Sequence, residues 1–213
     1  MSLKTAFLAS LLLFAPPSVA QDRAWPASDI PAKFTPPIDA RDYVKREAMI
    51  PMRDGTKLYT VIVMPKGAKD LPIILTRTPY NAAGRANRMD SPHLLSTLPL
   101  ADEPFVKAGY IRVYQDIRGK YGSEGDYVVT RPVIGPLNPT GVDHVTDAWD
   151  TIEWLTNKAN LPESNGRVGM IGSSYEGFTV AMALLKPHPA LKAAVHLDRA
   201  AIGRAVRARR SLK

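Results

Sequence analysis

The sequence predicts an α/β protein in which an antiparallel hairpin leads into a parallel sheet with crossover helices. Two β-prone runs near residue 50 flank an Asp54-Gly55 turn, which is a hairpin signal. From residue 72 onwards, compact apolar runs alternate with stretches of helical periodicity. Strands and helices that alternate in this way form parallel sheets with right-handed crossovers.

The elements of this fold can be placed along the chain. The hairpin strands are Val44–Pro51 and Leu58–Met64. The helix over Asp143–Asn157 has apolar residues at helical spacing, and Asp143 is placed as its N-cap. The other predicted elements are strand Pro72–Thr76, helix Ala101–Ala108, strand Ile111–Gln115, strand Val168–Ile171, helix Tyr175–Leu185 and strand Leu191–Val195.

Residues 1–20 have the pattern of a secretory signal peptide. Lys4 supplies a positive charge, Ala6–Phe14 is an apolar run, and Ser18 and Ala20 are small residues at the positions that a signal peptidase reads. The run is too short for a permanent membrane anchor. We therefore expect cleavage after Ala20, a periplasmic or secreted location, and no membrane association of the mature protein.

Three segments follow the signal peptide. We predict an N-terminal arm rich in proline and aspartate over residues 21–42, a partial α/β domain over 43–196, and a basic tail over 197–213. The tail has six basic residues and one acid, so it carries +5 of the formal net charge of +8. Its composition differs abruptly from that of the domain, and we interpret it as the product of a shifted reading frame.

Composition and charge exclude several classes of function. There is no cysteine, which excludes disulfides, a thiolate nucleophile and cysteine-ligated metal sites. The isoelectric point near 9.7 is typical of nucleic-acid binding. However, a phosphate-binding face needs basic residues spread over a docking surface, and the chain before residue 197 is nearly neutral. We expect no nucleic-acid partner, no cofactor and no metal.

The longest segment without a predicted helix or strand is Ile117–Gly141. It contains four glycines before residue 136 and several prolines. Loops of this length beside the carboxyl end of a strand often face a ligand. A loop that merely elaborates the surface is an equal alternative.

The motif that carries chemistry is Gly172-Ser173-Ser174-Tyr175-Glu176-Gly177. It follows a predicted strand and begins a predicted helix, the context of a nucleophile elbow. A sharp turn at Ser174 needs small residues on both sides, and the helix start directs the Tyr175 N–H toward a developing oxyanion. The alternative is a glycine-rich turn whose serine caps the helix. Ser173 is the competing nucleophile, but it lies at the strand end.

Several separated motifs resemble the X-prolyl dipeptidyl-peptidase and cocaine-esterase group of α/β hydrolases, and most specifically the α-amino-acid ester hydrolases. The resemblance extends from about residue 42 to residue 195. The motifs are Arg77–Asn81 (RTPYN), Asp116 with Arg118–Tyr127 (RGKYGSEGDY), Gly135–Thr140 (GPLNPT), Asn165–Met170 (NGRVGM) and Gly172–Thr179 (GSSYEGFT).

The resemblance implies an N-terminal part of an α/β-hydrolase fold and a serine hydrolase or acyltransferase of α-amino-acid esters and amides, including β-lactam acyl donors. It implies Ser174 as the acylated nucleophile, the Tyr175 N–H as one oxyanion donor and the Tyr80 phenol as the other. For Tyr80 alone, a buried or capping tyrosine is the alternative. The resemblance also implies a small-molecule substrate and a homo-oligomer. An X-prolyl dipeptidyl-peptidase-like or a glutaryl-acylase-like hydrolase is the alternative within the group.

A general base for Ser174 is missing from the pattern. This fold supplies the base in the chain order Ser, Asp, His. None of the four histidines is a convincing base: His93 and His144 precede the nucleophile, His188 is interpreted as a cap or surface residue, and His196 ends the last predicted strand. We therefore expect a truncated chain with little or no catalysis. A non-catalytic fragment is the alternative of another class.

Overall fold

The chain enters its sheet through an antiparallel hairpin. In the computed structural model, which describes residues 40–197, strand β1 is Tyr43–Pro51 and strand β2 is Lys57–Pro65. The two strands pair along their whole length. Gly55 in the turn has φ 85°, a left-handed conformation that glycine adopts at little steric cost. The Asp-Gly hairpin predicted from the sequence is confirmed.

Four further strands complete a six-stranded mixed sheet. They are β3 (Leu71–Thr78), β4 (Ile111–Asp116), β5 (Ser164–Ser173) and β6 (Leu191–Leu197), and the spatial order is β1-β2-β4-β3-β5-β6. β2 and β4 are antiparallel, whereas β4, β3, β5 and β6 are mutually parallel. The carboxyl ends of these four strands therefore lie at one edge of the sheet.

Strands β5 and β6 are longer than the sequence predicts. β5 begins four residues before Val168. Gly166, at φ 76°, lies within the strand, where the pairing with β3 is irregular, and does not form a turn before it. β6 continues two residues past Val195, and Leu197 pairs with Ser173. The strand thus crosses the predicted boundary between domain and tail.

Five α-helices connect the strands of the described segment. They are α1 (Ala82–Arg85), α2 (Leu94–Thr97), α3 (Glu103–Lys107, preceded by a 3₁₀ turn over Leu100–Asp102), α4 (His144–Thr156) and α5 (Tyr175–Leu185). The helix predicted over residues 101–108 is therefore a 3₁₀ turn followed by a short α-helix. The predicted N-cap of α4 is confirmed, since the Asp143 carboxylate accepts from the Thr146 N–H and the Thr146 hydroxyl accepts from the Asp143 N–H.

The hydrophobic core lies on both faces of the sheet. On one face, α4 and α5 pack on the central strands, and the buried contacts include Leu75, Val113, Ile152, Met170 and Val180. On the other face, Val61, Val63 and Tyr114 pack against α1 and α2 through Ala82, Ala86, Leu94 and Leu98. The edge strand β6 leaves Val195 and Leu197 about half exposed, at 45% and 52%. An edge strand with exposed apolar side chains favours association with other chains.

Some segments named in the sequence analysis lie outside the described residues. These are the predicted signal peptide (1–20), nearly all of the predicted arm (21–42) and all but the first residue of the predicted tail (197–213). Within residues 40–197, no helix has the length and apolar character needed to span a membrane.

A buried ion pair fixes the centre of the sheet against the segment before α3. The Arg112 guanidinium on β4 lies 2.9 Å from the Asp102 carboxylate, and both side chains are almost fully buried. Arg112 also donates to the carbonyl of Ile74 at 2.7 Å and to the hydroxyl of Thr76 at 3.0 Å, both on β3. Burial raises the pKa of Asp102 and lowers the pKa of Arg112, while their mutual attraction opposes both shifts.

Removal of one partner of this pair should be strongly destabilising. Asp102→Asn leaves the buried Arg112 charge uncompensated, and we expect the free energy of unfolding to fall by about 3–5 kcal/mol. Urea denaturation followed by circular dichroism measures the change. Asp70→Asn is the matched control, because Asp70 pairs with Lys158 at the surface and such pairs contribute little. A loss below about 1 kcal/mol for Asp102→Asn would contradict the assignment.

Candidate active site

The chain turns sharply from β5 into α5 at Ser174. Ser174 has φ 56° and ψ −125°, which L-residues adopt only when the surrounding structure requires it. The residue is exposed, and its hydroxyl makes no capping hydrogen bond to the helix. A serine that merely caps the helix would make that bond, so the geometry favours the nucleophile-elbow interpretation.

Glycines on both sides allow this turn. A Cβ at Gly172 would overlap the backbone carbonyl of Glu176 in the first turn of α5. A Cβ at Gly177 would lie 2.5 Å from Cδ2 of His196 and 3.2 Å from the carbonyl oxygen of Gly172. The absence of a side chain at Gly177 thus allows the His196 imidazole of β6 to pack against the start of α5. This explains why glycine is needed one position later than in the common Gly-x-Ser-x-Gly pattern.

Ser173, the competing serine, faces a different environment. It is the last residue of β5 and is exposed. With Arg85 and Glu176, it lines an open pocket of about 190 Å³ on the sheet face opposite α5. Arg85 and Glu176 form an ion pair at 2.7 Å, which joins α1 to α5. Within residues 40–197, no group of His, Asp or Glu side chains could hold a metal ion.

Tyr80 lies at the same edge of the sheet as Ser174. It follows β3 by two residues, and β3 is the parallel neighbour of β5. The strands pair as far as Leu75 and Met170, and the Thr76 hydroxyl donates to the carbonyl of Ile171 at 2.9 Å, so they lie side by side until two residues before each strand ends. Tyr80 is 49% exposed, which contradicts the alternative of a buried structural tyrosine.

Tyr175 is the first residue of α5, and its backbone and side chain have different surroundings. Its N–H is among the first four of the helix, which have no partner within the helix. Its ring packs edge-on against Phe178, with centroids 5.3 Å apart, and against His144 at 6.1 Å. Its phenol accepts from the Thr130 N–H at 3.2 Å and thereby binds the loop Ile117–Gly141, and burial raises its pKa.

The four histidines have distinct positions. His93 is exposed beside Asp42 and His144 begins α4. His188 is buried, so the predicted surface position is wrong. Its Nε2 lies 2.8 Å from Glu153, and its Nδ1 accepts from the Ala190 N–H, which fits the predicted capping role. His196 lies in β6, as predicted. The expectation that none of them serves as the base stays a prediction.

His144 is held neutral in the packing around Tyr175. Burial lowers its pKa to about 3, and the positive charge of Arg77 adds to the effect. Its Nε2 lies 3.5 Å from the Tyr175 phenol, and its carbonyl accepts from Arg77 at 3.0 Å. The sequence placed His144 at the helix start but gave no sign of this contact, because the contact joins residues 31 positions apart.

Arg118 connects three parts of the chain next to the site. It binds Asp147 on α4 at 2.7 Å and Asp54 in the hairpin turn at 2.7 Å. Although burial opposes it, hydrogen bonding to these two carboxylates raises the pKa of Arg118. Arg118 belongs to the RGKYGSEGDY motif, and its structural role is to anchor the start of the long loop.

The comparisons with known proteins agree on one family. The family described as X-Pro dipeptidyl-peptidase (S15 family) matches residues 54–201. The cocaine esterase of Rhodococcus sp. (strain MB1 Bresler) is 33% identical over 156 residues, which is 73% of this chain and 24% of that protein. The match to the family continues past Val195, where the motif-based resemblance ends.

Solved structures give the same result and confirm the predicted fold. An α-amino acid ester hydrolase superposes with a TM-score of 0.74 at 62% identity and covers 85% of this chain and 28% of that one. An aminopeptidase from a marine sediment archaeon, Thaumarchaeota archaeon, superposes with a TM-score of 0.73 at 57% identity, over 79% and 27% of the two chains. The chain therefore spans about a quarter of the length of these relatives.

The buried neutral state of His144 predicts a specific acid sensitivity. Its pKa in the folded protein lies below the ordinary value of 6.5, so the unfolded chain binds the proton more readily. The stability that depends on neutral His144 is therefore complete above pH 6.5 and is lost as the pH falls toward 3, by about 1.4 kcal/mol for each pH unit within that window.

The measurement is the free energy of unfolding by urea at several pH values between 6.5 and 4. His144→Gln should flatten the pH dependence relative to the parent, whereas His93→Gln, which changes an exposed ring, should leave the slope unchanged. Equal slopes for the parent and His144→Gln would show that His144 titrates normally.

Proposed function

We propose that this chain, which belongs to the X-Pro dipeptidyl-peptidase (S15) family, supplies the nucleophile and both oxyanion donors of a serine hydrolase. The single observation that carries the proposal is the backbone of Ser174, which holds an exposed hydroxyl on a left-handed turn between β5 and α5. Strain of this kind is retained where function requires it.

The proposed reaction proceeds through an acyl-enzyme. The Ser174 hydroxyl attacks the acyl carbon of an ester or amide, and a general base takes the hydroxyl proton. The base returns the proton to the departing alcohol or amine as its bond to the acyl carbon breaks. Water, or an amine in the synthetic direction, then attacks the acyl carbon and gives its proton to the base. The base passes that proton to Oγ of Ser174 as the bond between Oγ and the acyl carbon breaks. No residue of this chain is assigned as the base.

Two donors are proposed to stabilise the oxyanion that forms during the attack. The Tyr175 N–H lies at the start of α5, where the unpaired N–H groups and the helix dipole favour negative charge. The Tyr80 phenol extends from the neighbouring strand end and is half exposed. Donors placed where charge develops lower the barrier more than they strengthen substrate binding.

The proposed substrates are α-amino-acid esters and amides, including β-lactam acyl donors. The 62% identity with an α-amino acid ester hydrolase over 85% of the chain supports this class. The aminopeptidase at 57% identity favours peptides as a second candidate. Both share an α-aminoacyl group as the part that would be attached to Ser174.

Location and assembly are proposed on the sequence alone. Residues 1–20 would direct export, and the mature chain would begin at Gln21 in the periplasm or the medium. Assembly into a homo-oligomer is proposed from the resemblance.

Covalent labelling tests the nucleophile. A fluorophosphonate probe should phosphonylate the 213-residue chain at Ser174, slowly if no base assists, and peptide mapping identifies the residue. Ser174→Ala should abolish the adduct, and Ser173→Ala, the matched control one residue earlier, should retain it. An adduct at Ser173 would refute the assignment, whereas no adduct in the parent would support the non-catalytic alternative.

Tyr80→Phe tests the proposed oxyanion donor. The substitution keeps the ring and removes only the hydroxyl, so in a form of the protein that carries a general base we expect kcat for ester hydrolysis to fall by about 10²–10³-fold, or roughly 3–4 kcal/mol, with KM and the thermal midpoint nearly unchanged. Tyr110→Phe is the control, because Tyr110 directly precedes β4 and therefore lies at the opposite edge of the sheet from Ser174. A kcat within a few-fold of the parent would remove Tyr80 from the site, and lost stability with intact kcat would restore a structural role.

A further inference from the structure

We propose that Asp116 is a positioning residue that fixes the backbone carrying Tyr80. The inference rests on the proposed function of Tyr80 as an oxyanion donor. Asp116 is the last residue of β4, and in the parallel pairing of β3 with β4 it lies opposite Thr78. It is thus next to the point at which the chain leaves β3 toward Tyr80.

Both oxygens of the Asp116 carboxylate bind main-chain N–H groups. Oδ1 accepts from the Ala82 N–H at 2.7 Å, and Oδ2 accepts from the Gly122 N–H at 3.2 Å. The residue has no exposed surface, and within residues 40–197 it forms no ion pair. Burial raises its pKa, while the two backbone hydrogen bonds and the positive charge of Lys120 oppose that shift. Burial of a carboxylate is costly unless hydrogen bonds satisfy it, and here main-chain N–H groups do so.

Two long-range bonds hold the Tyr80 segment to the end of β4: the Ile117 N–H donates to the Thr78 carbonyl at 3.0 Å before Tyr80, and the Ala82 N–H donates to Asp116 after it. The N–H of Tyr80 itself is bonded only locally, to the hydroxyl of Thr78 at 3.0 Å. Asn81, the next residue, has φ 72°, so the backbone leaves Tyr80 in a left-handed conformation that a free chain would rarely adopt. The bond from Ala82 to Asp116 holds the far side of this turn against β4.

The second oxygen connects the same carboxylate to the long loop. Gly122 is packed so closely against Tyr59 that a Cβ would lie 2.6 Å from the ring, and the Ser123 hydroxyl donates to the Asp116 carbonyl at 2.7 Å. Further along this loop, the Thr130 N–H binds the Tyr175 phenol. Asp116 therefore links the segment of one proposed oxyanion donor to the loop that contacts the other.

The chemistry of the position requires a carboxylate. Two N–H donors converge on it, and a carboxylate is the side chain of this size that offers two acceptor oxygens. Asparagine has the same shape but presents one amide NH₂, which would face one of the two N–H groups as donor against donor. Asp116→Asn should therefore break one bond without creating a cavity.

The test combines hydrogen exchange with kinetics on the intact protein. In Asp116→Asn, we expect amide exchange at Ala82 or Gly122 to accelerate about tenfold or more. In a form of the protein that carries a general base, we expect kcat for ester hydrolysis to fall by about 10- to 100-fold with KM within about twofold. Asp126→Asn, the same charge change on the exposed part of the loop, should alter neither. A purely structural Asp116 predicts instead faster exchange throughout β3 and β4 and an unchanged kcat per folded molecule.

A double variant separates this inference from the proposed function beneath it. If Asp116 acts through Tyr80, then Asp116→Asn should reduce kcat in the parent but cause little further loss in Tyr80→Phe. If Tyr80→Phe lowers kcat and Asp116→Asn does not, the positioning role is refuted while the donor role stands. If Tyr80→Phe leaves kcat unchanged, the donor role fails, and the positioning role fails with it.

Discussion

The site depends on one steric constraint, which is that α5 must begin in direct contact with the strand that precedes it. Ser174 satisfies the constraint with φ 56°, and Gly172 leaves room for the backbone of Glu176. Such a backbone costs of order 1–3 kcal/mol. The packing of α5 on the sheet through Val180 and Ala183 offsets that cost. The exposed serine is the consequence, since the turn leaves its side chain directed away from both the strand and the helix.

Buried polar groups, rather than apolar packing alone, determine how the neighbouring strands meet below this turn. Arg77 is fully buried on β3, donates to Gln115 on β4 at 2.8 Å and lies 3.6 Å from Asp147 on α4. Its carbonyl accepts from the Thr179 hydroxyl of α5 at 3.1 Å. Because an unpaired buried charge is strongly unfavourable, these contacts favour a single arrangement of β3, β4, α4 and α5. The strand ends that carry Tyr80 and Ser174 are thereby held in a fixed relation.

Local signals explain what the sequence predicts well. The turn at Gly55, the cap at Asp143 and the elbow around Ser174 depend on residues within a few positions of each other, and all three are found in the structure. The four-residue helices α1 and α2 were missed because they are too short for a periodic pattern. The sequence predicts that this strand ends at Thr76, whereas β3 continues to Thr78, so the pattern does not indicate that Arg77 is buried in the sheet. Long-range contacts such as that of Asp116 with Ala82 leave no periodic or turn signal in a single sequence.

The two tyrosines of the proposed oxyanion hole are connected to the same loop, Tyr175 directly and the segment after Tyr80 through Asp116. At Tyr80 the side chain is the proposed donor, and the backbone that follows it is bound by Asp116, which also binds the loop at Gly122. At Tyr175 the backbone is the proposed donor, and the side chain binds the loop at Thr130. In the proposed site, each tyrosine therefore offers one hydrogen-bond donor to the oxyanion, while its other polar part, or the backbone beside it, is held by a hydrogen bond. The loop therefore contacts the Tyr175 side chain directly and reaches the segment after Tyr80 through Asp116, so it has a structural connection to both proposed donors whether or not it also faces a ligand.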